Sequence, residues 1–309
     1  MRLIVATALL ALASPTLANT WLEPFDSDVV STADTFVVGT LDARHANRLK
    51  VERVLAGDDP GKRVDVVGFD DEAGLEPGSR VYAWLERDDD GKWRVRTPTS
   101  SIDSFYGEDG RFVVGSFRTS CAGGLYTPEF YERVHTAWFA LLHGDRSAQP
   151  SLEAMIREEL AREPEFFGGE GDPADAVGFF RQTAALEVLA SDATLGPAVD
   201  LERFLVAKDW HAQVSAVRAL ASRDDSTNRL IDVLADARTS EVPAMVAARL
   251  LRGREVDTAQ RKRLEKLAQD ASQEEVWLCG GSIMDPRIVE GYSSVSPREA
   301  IEDLLKPGE

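Results

Sequence analysis

The 309-residue sequence predicts an α+β protein of two modules, a small β-barrel followed by a stack of helical hairpins. Three observations predict it. Residues 33–118 alternate apolar and polar side chains between short turn clusters, the period of half-buried strands. From residue 172 onward the apolar spacing becomes helical. Within that second half an alanine-rich motif recurs every 31 residues: Ala185-Leu186-Glu187-Val188-Leu189-Ala190-Ser191 is echoed by Ala216-Val217-Arg218-Ala219-Leu220-Ala221-Ser222, and in shorter form by Ala247-Ala248-Arg249-Leu250-Leu251. Such a period marks one helical pair per repeat, each pair burying its apolar face against the next.

Residues 1–18 have the form of a cleavable export signal, with Arg2, an apolar run over 3–13, Pro15 and a small residue at Ala18. That run is too short to cross about 30 Å of hydrocarbon, which takes roughly 20 residues. No Cys follows it to carry a lipid. The mature chain is therefore expected to start near Asn19, to be periplasmic or secreted from a bacterium, and not to insert into a membrane. The chain holds 53 acidic against 35 basic residues, a net charge of −18. Phosphate backbones and anionic lipid heads repel such a protein, so nucleic acid is not an expected partner.

The strands follow in order. Thr35-Phe36-Val37-Val38-Gly39-Thr40-Leu41 is β-branched and apolar, and residues 49–55 place Leu49, Val51 and Arg53 on one face. The cluster Ala56-Gly57-Asp58-Asp59-Pro60-Gly61 turns the chain into Arg63-Val64-Asp65-Val66-Val67. Pro77-Gly78 precedes a strand over 80–85. Asp88-Asp89-Asp90-Gly91 precedes one over 92–96, and Phe112-Val113-Val114 is the last. Five or six short strands with these turns predict a Greek-key barrel.

Helices come next. Thr127 with Pro128 forms a capped start for a helix ending at Gly144, its apolar face made by Phe130, Val134, Ala137, Trp138, Leu141 and Leu142. A second helix covers 151–162. The glycine-rich stretch 166–171 reads as the boundary between modules. Paired helices are then expected over 172–191 with 200–207, 209–222 with 226–237, and 240–252 with 257–271, each opening on Asp or Ser. Ser296 and Glu299 form a capping box for a closing helix. The expected organisation is a signal at 1–18, a barrel with its closing helix at 19–145, a helical linker at 146–172, repeats at 173–271 and a capping tail at 272–309.

The 31-residue motifs resemble short HEAT-like repeats over residues 173–271, a resemblance that implies a fold and says little about function. The run over 33–55, and Thr119-Ser120-Cys121-Ala122-Gly123-Gly124 ahead of the Thr127 helix, resemble exported bacterial domains related to the inhibitory domain of tissue inhibitors of metalloproteinases. Those are OB barrels, so the resemblance implies an OB-like barrel here. The animal inhibitors hold the protease zinc through an N-terminal Cys. Asn19-Thr20-Trp21 has none, so that mechanism does not transfer.

Few motifs carry chemistry. The histidines, His45, His135, His143 and His211, include no pair three or four apart and none followed by Glu, so no metal site is predicted. Glu86-x-Asp88-x-Asp90-Gly91 opens like a calcium loop, but its twelfth position is Thr97 where a bidentate Glu is needed, and a hairpin turn with Gly91 at positive φ is the plainer reading. Gly280-Gly281-Ser282-Ile283-Met284 starts like a nucleophile elbow and fails at its fifth position. No catalytic residue and no cofactor is assigned. Cys121 and Cys279 form an expected disulfide in an oxidising compartment, with two buried thiols as the alternative.

The remaining candidate is a surface. Aligning the second helices of the repeats places Asp200, Arg229 and Lys262 in one row and Arg203, Asp232 and Glu265 in another. The leading functional reading is a non-enzymatic protein-binding or scaffold protein using these rows, its partner another protein. The alternatives are a hydrolase with a site at the barrel–helix junction, near Cys121, His135 and the loop over 100–110, and a barrel that inhibits a protease by another contact.

Overall fold

The computed structural model describes residues 25–45, 47–67, 76–97, 99–118, 123–167, 172–196, 199–224, 226–277 and 294–306. The expected export signal, Cys121, Cys279 and most of the expected glycine-rich boundary lie outside them.

The protein is α+β, an N-terminal barrel followed by a helical half. Strand β1 (Thr35–Leu41) pairs antiparallel on one edge with β2 (Arg48–Gly57) and on the other with β4 (Arg80–Arg87). This double pairing closes a ring, which runs on through β3 (Arg63–Val67) and β5 (Trp93–Arg94). The β3–β5 pair is parallel and the other pairs of the ring are antiparallel. From the edge of β4 the sheet continues through β6 (Ile102–Tyr106), β7 (Phe112–Gly115) and β8 (Gly124–Tyr126). Among the described residues the large sheet thus has eight strands rather than five or six. The extra ones escape the alternation rule for a reason. β6 carries an inward charge, Asp103, at a position where an apolar residue would mark a strand, and β8 has three residues.

Alternation along β1 and β4 serves two cores, which is why both strands are apolar almost throughout. Val37, Leu41, Val81, Ala83 and Leu85 point into the barrel with Leu49, Val64, Val66 and Trp93. Phe36, Val38, Tyr82 and Trp84 point the other way, onto α2 (Pro128–Leu142). The Asp88–Gly91 segment is the expected turn: Gly91 has φ 76°, and Asp88 accepts from the N–H groups of Asp90 and Lys92.

Helix α1 (Asp26–Thr32), not anticipated from the sequence, packs against α2. Thr127 caps α2 by accepting from Phe130 N at 3.3 Å. Then come α3 (Gln149–Ala161), α4 (Pro173–Ser191), α5 (Glu202–Leu205), α6 (Trp210–Ala221), α7 (Ser226–Ala235), α8 (Glu241–Leu251), α9 (Thr258–Asp270) and α10 (Pro297–Leu305). Asp172, Asp209 and Asp257 cap as expected. Ser240 does not use its side chain to cap α8, and its backbone N–H donates to Gln213 Oε1 at 3.0 Å. The expected helix over 200–207 shrinks to the four residues of α5. Ser296 and Glu299 close the predicted capping box on α10.

Positions 31 apart do the same work. Gln182 on α4 donates to the carbonyls of Glu159 and Glu163 and accepts from Glu165 N, while Gln213 on α6 donates to Ala207 O and accepts from Ser240 N. Each glutamine thus ties its helix to neighbouring main chain through both ends of its amide. Fully buried Ala184, Ala185, Ala216, Ala219, Ala247 and Ala248 let α4, α6 and α8 approach closely. One buried apolar cluster runs from Val29 on α1 through Trp138 on α2 to Ile301 on α10, so barrel and helices share a core.

Candidate functional site

Polar chemistry gathers at the buried junction between barrel and helices and along the face of the second helices.

At the junction, Tyr131 and His135 lie one turn apart on α2 with ring centroids 4.0 Å apart. His135 is fully buried; Nε2 lies 2.8 Å from Asp26 Oδ2 and Nδ1 lies 3.2 Å from Tyr131 O. Nδ1 therefore carries a proton, and a second proton sits between Nε2 and Asp26. Burial raises the Asp26 carboxyl above its ordinary value, with His135 opposing. The Tyr131 hydroxyl donates to Asp103 on β6. Burial first, and the Asp26 charge second, hold Asp103 well above the usual carboxylate range. A Cβ on Gly115 would lie 2.7 Å from Tyr131 Cε2 and 3.1 Å from Asp103 Oδ1, so β7 can pass this cluster only with glycine there.

A second cluster adjoins it. Arg118, after β7, lies 3.6 Å from Glu187 on α4, and Glu187 accepts from Arg218 Nε on α6 at 2.8 Å. Burial lowers the Arg118 pKa, opposed by Glu187. The Arg218 guanidinium also covers the Phe25 ring at 3.7 Å. Arg118 Nη2 sits 3.4 Å from His211 Nδ1, and burial with the Arg118 charge pulls His211 down to about 4. His211 is thus neutral near pH 7 and its Nδ1 can accept. Glu187, Arg218 and Arg249 occupy equivalent places in the three motifs, 31 residues apart, and Glu187 and Arg249 are each 3% exposed. A charge inside an alanine-rich helix at a fixed repeat position was a legible sign of these buried residues. Sequence reasoning weighed the motif for its alanines alone.

This junction is where the hydrolase reading placed its site. His135 is there, and residues 100–110 supply Asp103, but both are buried, His135 against Asp26 and Asp103 against the Tyr131 hydroxyl. Among the described residues no group of three or more His, Cys, Asp and Glu converges as metal ligands would. The arrangement can share and hold protons while joining α1, α2, β6 and β7.

Asp103 offers a test of this picture. Asp103→Asn keeps a carbonyl acceptor for Tyr131 but has no charge to bury. A carboxyl whose folded-state pKa is raised adds stability that is full below its unfolded value, about 4, and is lost as pH rises through the folded value. Wild type is therefore expected to lose stability relative to Asp103→Asn as pH rises from about 4 toward neutrality. Urea midpoints across that range check it; a gap that does not change with pH contradicts the raised Asp103.

The second-helix residues sit as follows. Asp200 is exposed and accepts from Glu202 N at 3.0 Å. Arg203 turns inward, donates to Leu160 O and pairs with Glu163 at 3.7 Å. Arg229 pairs with Glu202, and Asp232 with Arg263 at 2.6 Å. Arg229 and Asp232 line a cleft of about 140 Å³ with Glu202, Leu205, Val206 and Asp236. Lys262 and Glu265 are exposed on α9. The rows expected from alignment are thus offset: α5 starts two residues later than expected, so Glu202 rather than Asp200 faces Arg229.

Comparison with known proteins finds no matching family model, no matching curated protein and no matching solved structure. Among the described residues no helix is long and apolar enough to cross a membrane.

Proposed function

We propose that the chain is an exported, periplasmic or secreted, non-catalytic scaffold that binds another protein through the charged face of α5, α7 and α9. One observation carries this reading: the pairs Glu202–Arg229 and Asp232–Arg263 link successive second helices, so their outward side chains form one continuous surface of mixed charge. Mixed charge on a rigid face suits recognition of a complementary protein surface. The buried junction supplies rigidity: a face built on helices locked to a barrel loses little freedom on binding. A HEAT-like repeat reading is supported by the 31-residue equivalence of Gln182 with Gln213, and an OB-like barrel reading by the five-strand ring with its single parallel pair.

The test uses mature protein as bait in a bacterial envelope extract, compared with Arg229→Glu/Arg263→Glu. Exposed ion pairs are worth only about 0.2–1 kcal/mol, so the variant is expected to fold. The expected result is a partner retained by wild type and lost by the variant with an unchanged circular dichroism spectrum. Identical capture by both, or none by wild type, overturns the reading.

A further inference from the structure

The barrel carries a second site that the helical face does not explain. At one end of the ring, a cleft of about 500 Å³ is lined by Thr40, Asp42, Arg44, His45, Arg48, Lys50, Arg63 and Gly78. The cross-strand register is the telling feature. On one face of the β2–β3 ladder, Arg48 lies opposite Asp65 and Lys50 lies opposite Arg63. The first pair is an ordinary one: Arg48 donates twice to the Asp65 carboxylate, at 2.7 and 3.3 Å. The second sets two cations directly across from each other. Like charges opposed in this way destabilise a sheet. Neither Lys50, Arg63 nor Arg44 has an ion-pair partner among the described residues. The lining carboxylate, Asp42, is already occupied: it accepts from Arg44 N at 2.8 Å and sits 3.5 Å from His45. Three exposed cations therefore line one cleft whose described lining has a single carboxylate, Asp42, and none of the three forms an ion pair with it.

This happens on a chain of net charge −18. The overall charge does not cancel the local one. At physiological salt the screening length is about 8 Å, so an ion in the cleft feels the side chains lining it rather than the acidic surface elsewhere. Single carboxylates would meet one cation and leave the other two opposed. A dianionic phosphate group can accept from several at once. The cleft is also larger than a bare phosphate needs and suits a small molecule that carries one.

We propose that this cleft binds a phosphate-bearing small molecule, held by Arg44, Lys50 and Arg63. The site is separate from the protein-binding face, and neither reading depends on the other.

The experiment is a titration of the full mature chain, followed by backbone amide resonances, with inorganic pyrophosphate and ribose 5-phosphate as probes and ribose as the uncharged control. Saturable shifts at Arg44, His45, Lys50 and Arg63 are expected with both phosphate compounds and not with ribose. Lys50→Ser/Arg63→Ser is expected to weaken binding by about tenfold or more, the scale of losing one charge-assisted contact. Lys306→Ser, an equal charge step per site after α10, should leave it unchanged. The double variant should also unfold at the same or a higher temperature, since it relieves a repulsion; that readout keeps loss of binding distinct from loss of fold. No saturable response to millimolar pyrophosphate, or equal binding by wild type and the folded double variant, overturns the proposal. So does equal weakening by Lys306→Ser, which would mean a diffuse charge effect.

Discussion

Glu187→Ala is expected to cost about 3–5 kcal/mol of folding stability, the range for removing one partner from a buried ion pair. Glu187 stands between two guanidinium groups, Arg118 and Arg218, and both are largely withdrawn from water. Without it each cation keeps its desolvation cost and loses its compensation. Arg118 also keeps the like charge of Arg218 beside it. The loss should appear as a lower urea midpoint with an unchanged slope. A triple substitution, Arg118→Met/Glu187→Leu/Arg218→Met, is expected to recover most of it, because removing all three charges removes the cost of burying them. A single-variant loss below about 1 kcal/mol, the level of an exposed pair, would show that water reaches this cluster.

Trp138→Ala is expected to cost a similar amount, about 3–5 kcal/mol, for a different reason. The indole is fully buried in the core shared by barrel and helices. It stacks near Phe117, with ring centroids 5.9 Å apart, and its Nε1 donates to Ser191 Oγ on α4 at 3.0 Å. The serine stays satisfied in the variant because its hydroxyl also donates to Val188 O at 2.7 Å. Nearly all the cost should therefore come from the cavity, and Trp138→Phe should cost markedly less than Trp138→Ala. Thermal unfolding adds a second reading. A wall of the common core is removed, so both halves should lose stability in one transition. Two separated transitions, with only one shifted, would show that the halves unfold independently.

Both variants act on contacts invisible in the sequence. The wild-type Trp138 was legible as a core residue, since it falls on the apolar face of a helix whose start Thr127 and Pro128 announce. Its partner Ser191 was not. Glu187 was visible as a charge in a repeated motif, but its role depends on Arg118, which comes from the barrel. His135 illustrates the same divide: the sequence offers no local partner for it, and the partner it meets is Asp26, 109 residues away in the chain.

What the sequence alone determined is local. The change from period two to helical spacing separates strands from helices. The Thr127 cap, the Ser296–Glu299 capping box and the positive φ of Gly91 follow from atoms within four residues of one another. Only the tertiary structure decided which distant groups meet. Closure of the ring through β1–β4, the inward turn of Asp103, the Arg118–Glu187–Arg218 cluster and the opposition of Lys50 to Arg63 depend on strand register and helix placement. The physical reason is range. Capping and periodicity are set by hydrogen bonds and side-chain neighbours along the chain, whereas burial of a charge is tolerable only where several segments bring its partners to it.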